Sequence, residues 1–192
     1  MINQMFIRIL LVTGIFLTIV LSVCSQDKLK FDEEYLTFEI SRNLFQVSGV
    51  YLFSASDSIE HLILYPFPVE RVYGKAFDIF VKDVKTGKSL PFITAKDSSG
   101  IRFHTKVSGS SQLQIGYSQV LKSNRAKYIL TTTQNWGRPL KFADYKLVVD
   151  SGIVITSFSM KPQKKIVQGG KTVYFWQKTD FMPTSDFEVQ FN

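Results

Sequence analysis

The sequence predicts an all-β protein, an antiparallel β-sandwich of roughly ten to twelve short strands that follows an N-terminal signal peptide. Three observations support this fold class. Apolar and polar residues alternate with a period of two along most of the chain, and turn-forming residues separate these runs at short intervals. No window after the N-terminal apolar stretch carries a helical stripe of apolar residues. Many short strands divided by such turns are typical of sandwiches and barrels.

Residues 1–25 are predicted to be a signal peptide. Arg8 is the only charged residue in this segment, and Ile9 to Val23 is almost wholly apolar. This pattern matches a secretory signal, and the apolar stretch is short for a membrane span, which needs roughly 20 residues. The predicted organisation is therefore a signal peptide at 1–25 and a single β-sandwich domain at 26–192. An uncleaved N-terminal anchor is the alternative.

Cys24 is the single cysteine of the chain and leaves two hypotheses for processing. Cleavage before Gln26 agrees with small residues preceding the site and gives a secreted or periplasmic protein without cysteine. The sequence LSVC also resembles the bacterial lipobox, because Leu21 stands three residues before Cys24. Val23 departs from that pattern, in which a small residue is expected. We therefore expect soluble release, with lipidation of Cys24 and anchoring to a membrane as the alternative.

Six alternating runs mark the clearest strands, and we expect strands of roughly five to eight residues. A run of acids, Asp32 to Glu34, is expected to be a solvated lead-in to the first of them. The segment 119–126 could hold one helical turn at most. The alternating runs lie at 35–40, 77–82, 112–117, 153–160, 173–178 and 187–191. Turn-forming sequences lie at 85–88, 97–100, 108–110, 150–152 and 169–170.

Three stretches resemble a strand pattern of uncharacterised bacterial envelope β-sandwich proteins, which is echoed in the VIT domain found beside von Willebrand-type domains. They are VSGVYLFSAS at 47–56, LILYPFP at 62–68 and LQIGYSQVL at 113–121. The chain lacks the second proline-rich spacing and the acidic residue before the aromatic–proline turn of that pattern. The resemblance implies an interaction or scaffold module without catalysis and supplies no binding residues.

The segment TTTQNWGRPL at 131–140 interrupts the alternation. We expect the preceding strand to run through Thr133 and the chain to turn after it. Trp136 then has two interpretations. As a plug at the end of the sandwich, its truncation to alanine would cost about 3–5 kcal/mol. Alternatively Asn135, Trp136 and Arg138 form an amphipathic platform for a sugar ring or a peptide.

The sequence carries no constellation typical of an enzyme, a cofactor site or a metal site. It has only two histidines and no nucleophile elbow or phosphate-binding loop. We therefore predict no catalysis, no cofactor and no metal. The remaining enzyme hypothesis, an unrecognised hydrolase, would use Asp180 and Asp186 as a carboxylate pair.

The net charge and the predicted export limit the classes of partner that we expect. The formal net charge is +7, which becomes +6 when Arg8 is removed with the signal peptide. Such a charge favours anionic envelope surfaces, whereas scattered basic residues in an exported chain argue against nucleic acid. The predicted function is an exported cell-envelope interaction or structural module whose partner is an envelope protein or a polysaccharide. A carbohydrate-binding or adhesin-like protein is the alternative, and an exposed aromatic row across one sheet would favour it. Membrane contact is expected only if Cys24 is lipidated.

Overall fold

The computed structural model describes residues 29–192, and it confirms the predicted all-β sandwich. The predicted signal peptide and Cys24 lie outside the described residues. No helix within residues 29–192 is long and apolar enough to cross a membrane. The strands are β1 (Leu29–Ser41), β2 (Leu44–Pro66), β3 (Ala76–Asp83), β4 (Ile93–Thr94), β5 (Gly100–Val120), β6 (Arg125–Tyr128), β7 (Leu140–Asp150), β8 (Ile155–Phe158), β9 (Lys164–Gln168), β10 (Lys171–Phe181) and β11 (Phe187–Phe191). A 3-10 helix, Thr131–Trp136, precedes β7.

The strands form two sheets of unequal size. The large sheet has the order β3-β5-β2-β1-β7-β10-β9, with β4 paired to β5, and the small sheet has the order β6-β11-β8. All pairs are antiparallel except β1 and β7, which run parallel. The small sheet covers the inner face of the large one, where Phe38 of β1 stacks on Phe187 of β11 at 4.3 Å between ring centroids. The outer face of the large sheet carries half-buried and exposed side chains.

Two strands are far longer than the expected five to eight residues. β2 has 23 residues and β5 has 21, and they pair with each other along most of their length. The polar segment around Ser56 and Ser58 contains no apolar residue. The pairing of β2 with β5 shifts register across it, between Ala55 and Ile59. Such a bulge bends a strand without ending it.

The alternating pattern predicts the buried face correctly in some runs and incorrectly in others. Leu113, Ile115 and Tyr117 are all buried, as are the apolar residues of β11. In β3, however, Phe77 is exposed because Asp78 adopts a left-handed φ of 50° and the register shifts there. The expected strand through Thr133 is also wrong, because residues 131–136 form the 3-10 helix. The segment 119–126 contains no helical turn.

Candidate functional site

The 3-10 helix is fixed by contacts with the segment before β11. The backbone N–H and the hydroxyl of Thr131 donate to Asp186 Oδ1 at 3.1 and 2.7 Å, and the Gln134 amide donates to the Pro183 carbonyl at 2.7 Å. Gly137 ends the helix with a φ of 67°, a conformation that favours glycine. Asp186 thus anchors the helix, whereas Asp180 is exposed.

The helix places the predicted platform residues in different surroundings. Asn135 is exposed, but Trp136 is half-buried and packs on the core side against Phe31 and Phe53, at 5.7 and 5.5 Å between ring centroids. The guanidinium of Arg138 lies 3.9 Å from Asp32. The Trp136 ring therefore packs inward, and it does not lie open beside Arg138.

Asp32 and Glu34 are both buried, so the expectation that the run 32–34 is a solvated lead-in is wrong. The two acids have opposite electrostatic roles. Asp32 is 7% exposed and lies 3.0 Å from the Lys141 ammonium, and it accepts a hydrogen bond from Ser54. Burial acts to raise the pKa of Asp32, but the contacts with Ser54, Lys141 and Arg138 bring it below its ordinary value. Asp32 is therefore a paired anion that ties β1 to β7.

Glu34 lies deeper, at 2% exposure, and its carboxyl is surrounded by tyrosines. The hydroxyls of Tyr128 and Tyr145 donate to its two oxygens at 3.0 and 2.8 Å. Tyr51 lies 2.9 Å from the Tyr128 hydroxyl and 2.8 Å from that of Tyr65, all measured between oxygens. When Glu34 is ionised, these hydroxyls can all donate in one direction, so that the network converges on a single carboxylate.

No cation offsets the charge of Glu34 within the part of the chain that the structure describes. Among residues 29–192, no lysine, arginine or histidine nitrogen forms an ion pair with it. Burial therefore raises the pKa of Glu34 from 4.5 to about 7, although the hydrogen bonds from Tyr145 and Tyr128 lower it in part. Gly49 makes room for the network, because a Cβ there would collide with the Tyr51 hydroxyl.

The position of Glu34 in β1 contains a local signal for burial. Glu34 is in phase with Leu36, Phe38 and Ile40, all of which are buried. The alternation of β1 therefore extends to Glu34. The solvated prediction followed from its residue type alone, because glutamate side chains are mostly exposed to solvent.

A small cavity lies beside this network. Its volume is about 50 Å³, and its lining includes Glu34, Tyr51, Tyr65 and Tyr128. Thr132, Thr133 and Trp136 of the 3-10 helix line one side of it. The 3-10 helix, which contains the predicted platform residues Asn135 and Trp136, thus lies against a largely aromatic cavity that includes Glu34.

The outer face of the large sheet carries a second arrangement, a row of directly paired residues across six strands and the edge strand β3. It begins with an aromatic residue on β3, has a polar centre, and ends with an aromatic residue on β10 followed by a lysine on β9; it contains two lysines but no acid. We call it the outer row. Its members, from β3 to β9, are Phe80, Gly116, Ser48, Thr37, Lys146, Phe175 and Lys164.

The Phe80 ring lies directly over Gly116 on the outer face of the sheet. A Cβ on Gly116 would lie 2.5 Å from Phe80 Cζ, so only glycine lets this ring rest on the sheet. The Lys164 ammonium lies 5.9 Å from the Phe175 ring centroid. Two shallow grooves of about 360 and 510 Å³ flank the centre of the row, one beside Thr37 and Ser48 and the other beside Lys146 and Phe175. Five strand spacings separate Phe80 from Phe175, which is about 24 Å.

The described residues contain no cluster of metal-binding side chains. Within residues 29–192, no group of three or more histidine, cysteine, aspartate or glutamate side chains is placed to hold a metal ion. The two histidines are both exposed, and His104 lies 3.5 Å from Glu60.

Comparison with known proteins gives one family match and a set of structural neighbours. Residues 101–190 match the model of a domain of unknown function, DUF4424. No curated protein matches the sequence at a significant level. The resemblance to the VIT domain is not tested by these matches.

The structural neighbours share the fold at low sequence identity. A candidate nutrient-binding protein from Legionella pneumophila aligns with a TM-score of 0.65 and 11% identity, over 87% of this chain and 68% of its own. An M1 zinc metallopeptidase from Deinococcus radiodurans aligns with a TM-score of 0.53 and 7% identity, over 86% of this chain. This chain spans 43% of that metallopeptidase. At these identities the likeness shows the fold alone.

Proposed function

We propose that the protein is an exported binding module of the cell envelope, without catalytic activity, that holds an extended polysaccharide along the outer row. The observation that carries this proposal is the row itself. Two aromatic residues, Phe80 and Phe175, stand at opposite ends of a polar strip on an open sheet face. Both rings are half-buried, and their partly accessible faces on one sheet support a sugar binder over a purely structural module.

The chemistry of the outer row suits a polysaccharide better than a folded protein partner. Aromatic faces pack against the apolar faces of sugar rings, and hydroxyl, amide and ammonium groups bond to sugar hydroxyls. Ser48 and Gln114 already form a hydrogen bond of 3.3 Å on this face. The strip is long and shallow, and this shape matches an extended chain that binds through several rings.

The surrounding observations agree with binding and with the absence of catalysis. The fold is shared with a candidate nutrient-binding protein. The two acids of the hydrolase hypothesis have unrelated positions, since Asp186 caps the 3-10 helix and Asp180 is exposed. The net charge of +7, which becomes +6 when Arg8 is removed with the signal peptide, favours envelope polymers that carry acidic groups.

Affinity electrophoresis tests the proposal. We expect one or more gels containing peptidoglycan fragments, alginate or a neutral β-glucan to retard the wild-type protein. The Phe80→Ala and Phe175→Ala variants are expected to lose most of this retardation, because each removes a ring from one end of the strip. Gly116→Ala is expected to weaken binding as well, because its methyl group displaces the Phe80 ring.

Val167→Ala is the matched control, because Val167 is 71% exposed and lies on the other side of β9 from Lys164. Its retardation should equal that of the wild type. If no polymer retards the wild type, or if the Phe80 and Phe175 variants bind as well as the control, the outer row does not hold a polysaccharide. Circular dichroism of each variant excludes loss of the fold as the cause.

The site of processing decides where this module acts. We propose cleavage before Gln26 and release into the periplasm or the medium, since Val23 does not fit the lipobox. The intact mass of protein purified from its own host is then expected to start at Gln26. A diacylated or triacylated Cys24, together with membrane fractionation that disappears on Cys24→Ala, would instead establish a lipid anchor.

A further inference from the structure

The larger of the two grooves on the outer face lies at the β9 end of the outer row. Its volume is about 510 Å³, and sites for small molecules measure about 300–1,000 Å³. Phe175 lies in the lining, and its directly paired neighbours, Lys146 on β7 and Lys164 on β9, line the groove as well. Two strand spacings, about 10 Å, separate these lysines. The groove therefore has an aromatic residue at its centre and a lysine on each side.

Neither lysine is neutralised by an acid of the described chain. Within residues 29–192, no aspartate or glutamate forms an ion pair with Lys146 or Lys164. Lys146 is half-buried, so its charge is screened less than that of a fully exposed lysine. Asp144 is the one acid among the described residues that line the groove, and its Oδ2 accepts a hydrogen bond from the Gln177 amide at 3.1 Å. The groove thus combines two positive charges with one negative charge.

Amide side chains supply the remaining polar groups of the groove. Gln163 and Gln177 both line it and are both exposed. The backbone N–H of Gln177 donates to Gln163 Oε1, which leaves the NH₂ group of Gln163 as a donor toward a ligand. Amide groups donate to and accept from sugar hydroxyls. The groove therefore offers a ring face, amides and ammonium groups within one small area.

We infer that this groove is a subsite for an acidic sugar residue, whose ring packs on Phe175 and whose carboxylate lies between Lys146 and Lys164. The inference rests on the proposed function and names the class of polysaccharide, a polymer that contains uronic acids. A neutral sugar would leave both ammonium groups without an anionic partner. An acidic peptide would supply the charge but not the sugar ring face that packs on an aromatic side chain.

Calorimetric titration with oligogalacturonate tests the inference, with its methyl ester as the uncharged ligand built from the same rings. At low salt we expect the wild type to bind the acid form at least about fivefold more tightly than the ester, because the ammonium groups pair with carboxylates. Raising the salt from about 50 mM to about 500 mM should reduce this preference, because the charges are then screened. Polyglutamate, an acidic polymer without sugar rings, should bind more weakly than oligogalacturonate.

Lys146→Gln and Lys164→Gln are each expected to lower the affinity for the acid form by about threefold or more and to leave the affinity for the ester unchanged. A purely structural role of either lysine would instead weaken the binding of both ligands. Phe175→Ala should weaken both, because it removes the ring on which either sugar packs. Lys96→Gln is the matched control, because it removes one positive charge from an exposed residue outside the groove. Circular dichroism should show that each variant is folded.

Four results would overturn the inference: no binding of oligogalacturonate, equal binding of the acid form and the ester, unchanged affinity for the acid form in both lysine variants, or equally tight binding of polyglutamate. The proposed function fails separately. If the ester or a neutral β-glucan binds and Phe175→Ala abolishes this binding, the outer row holds a polysaccharide without selecting its charge. If no polymer binds, both the subsite and the proposed function are refuted.

Discussion

Between about pH 5 and pH 8, the wild-type protein is expected to lose about 2–3 kcal/mol of its free energy of unfolding through Glu34. Burial raises the pKa of this carboxyl from 4.5 to about 7 in the folded protein. The folded state therefore holds the proton more tightly than the unfolded chain does. This contribution is fully present below the unfolded pKa and is lost as the pH rises through the folded pKa.

Urea unfolding at several pH values measures this effect directly. Glu34→Gln is expected to flatten the profile, because the amide has a similar shape and does not ionise. Glu33→Gln is the control, since Glu33 is the half-buried neighbour on the outer face and, within residues 29–192, its only side-chain hydrogen bond comes from Tyr35. Equal pH slopes in the wild type and Glu34→Gln would show that Glu34 does not titrate in this range.

Trp176→Ala is expected to cost about 3–5 kcal/mol, the usual range for a fully buried large aromatic side chain. The ring is completely buried, lies 5.3 Å from the Phe187 ring and donates through Nε1–H to the Met160 carbonyl at 2.8 Å. It therefore joins the large sheet to the small one. Truncation leaves a cavity between the sheets and an unsatisfied carbonyl.

Trp136→Ala provides the comparison within the same chain. Trp136 is only half-buried, so its truncation is expected to cost less, about 1–3 kcal/mol. Denaturant melts of both variants against the wild type give the two values. A cost below about 1 kcal/mol for Trp176→Ala, or a larger cost for Trp136→Ala than for Trp176→Ala, would contradict the packing of Trp176 between the two sheets.

The sequence predicted the parts of the fold that depend on local pattern. Period-two alternation identified the strands and, in residues such as Leu113 and Phe187, the correct buried face. The 3-10 helix could not be predicted in the same way. It depends on the bond from Thr131 to Asp186, which lies 55 residues further along the chain.

The two candidate sites depend on contacts that no local pattern contains. The outer row requires the register of six neighbouring strand pairs, including the parallel pairing of Thr37 with Lys146. The cavity requires Glu34 to meet Tyr145, a residue 111 positions away. Its one local signal was the phase of Glu34 with Leu36, and the acidic residue type outweighed it.

The outer row is tested most directly by mapping amide chemical shifts during titration with a polysaccharide fragment that retards the protein in a gel. We expect the largest shifts at Ser48, Thr37 and Lys146, with smaller changes at Phe80 and Phe175 near the ends of the strip. If the amide signals of these residues do not shift, or if the shifts are confined to the cavity beside Glu34, the outer face of the large sheet is not the binding surface.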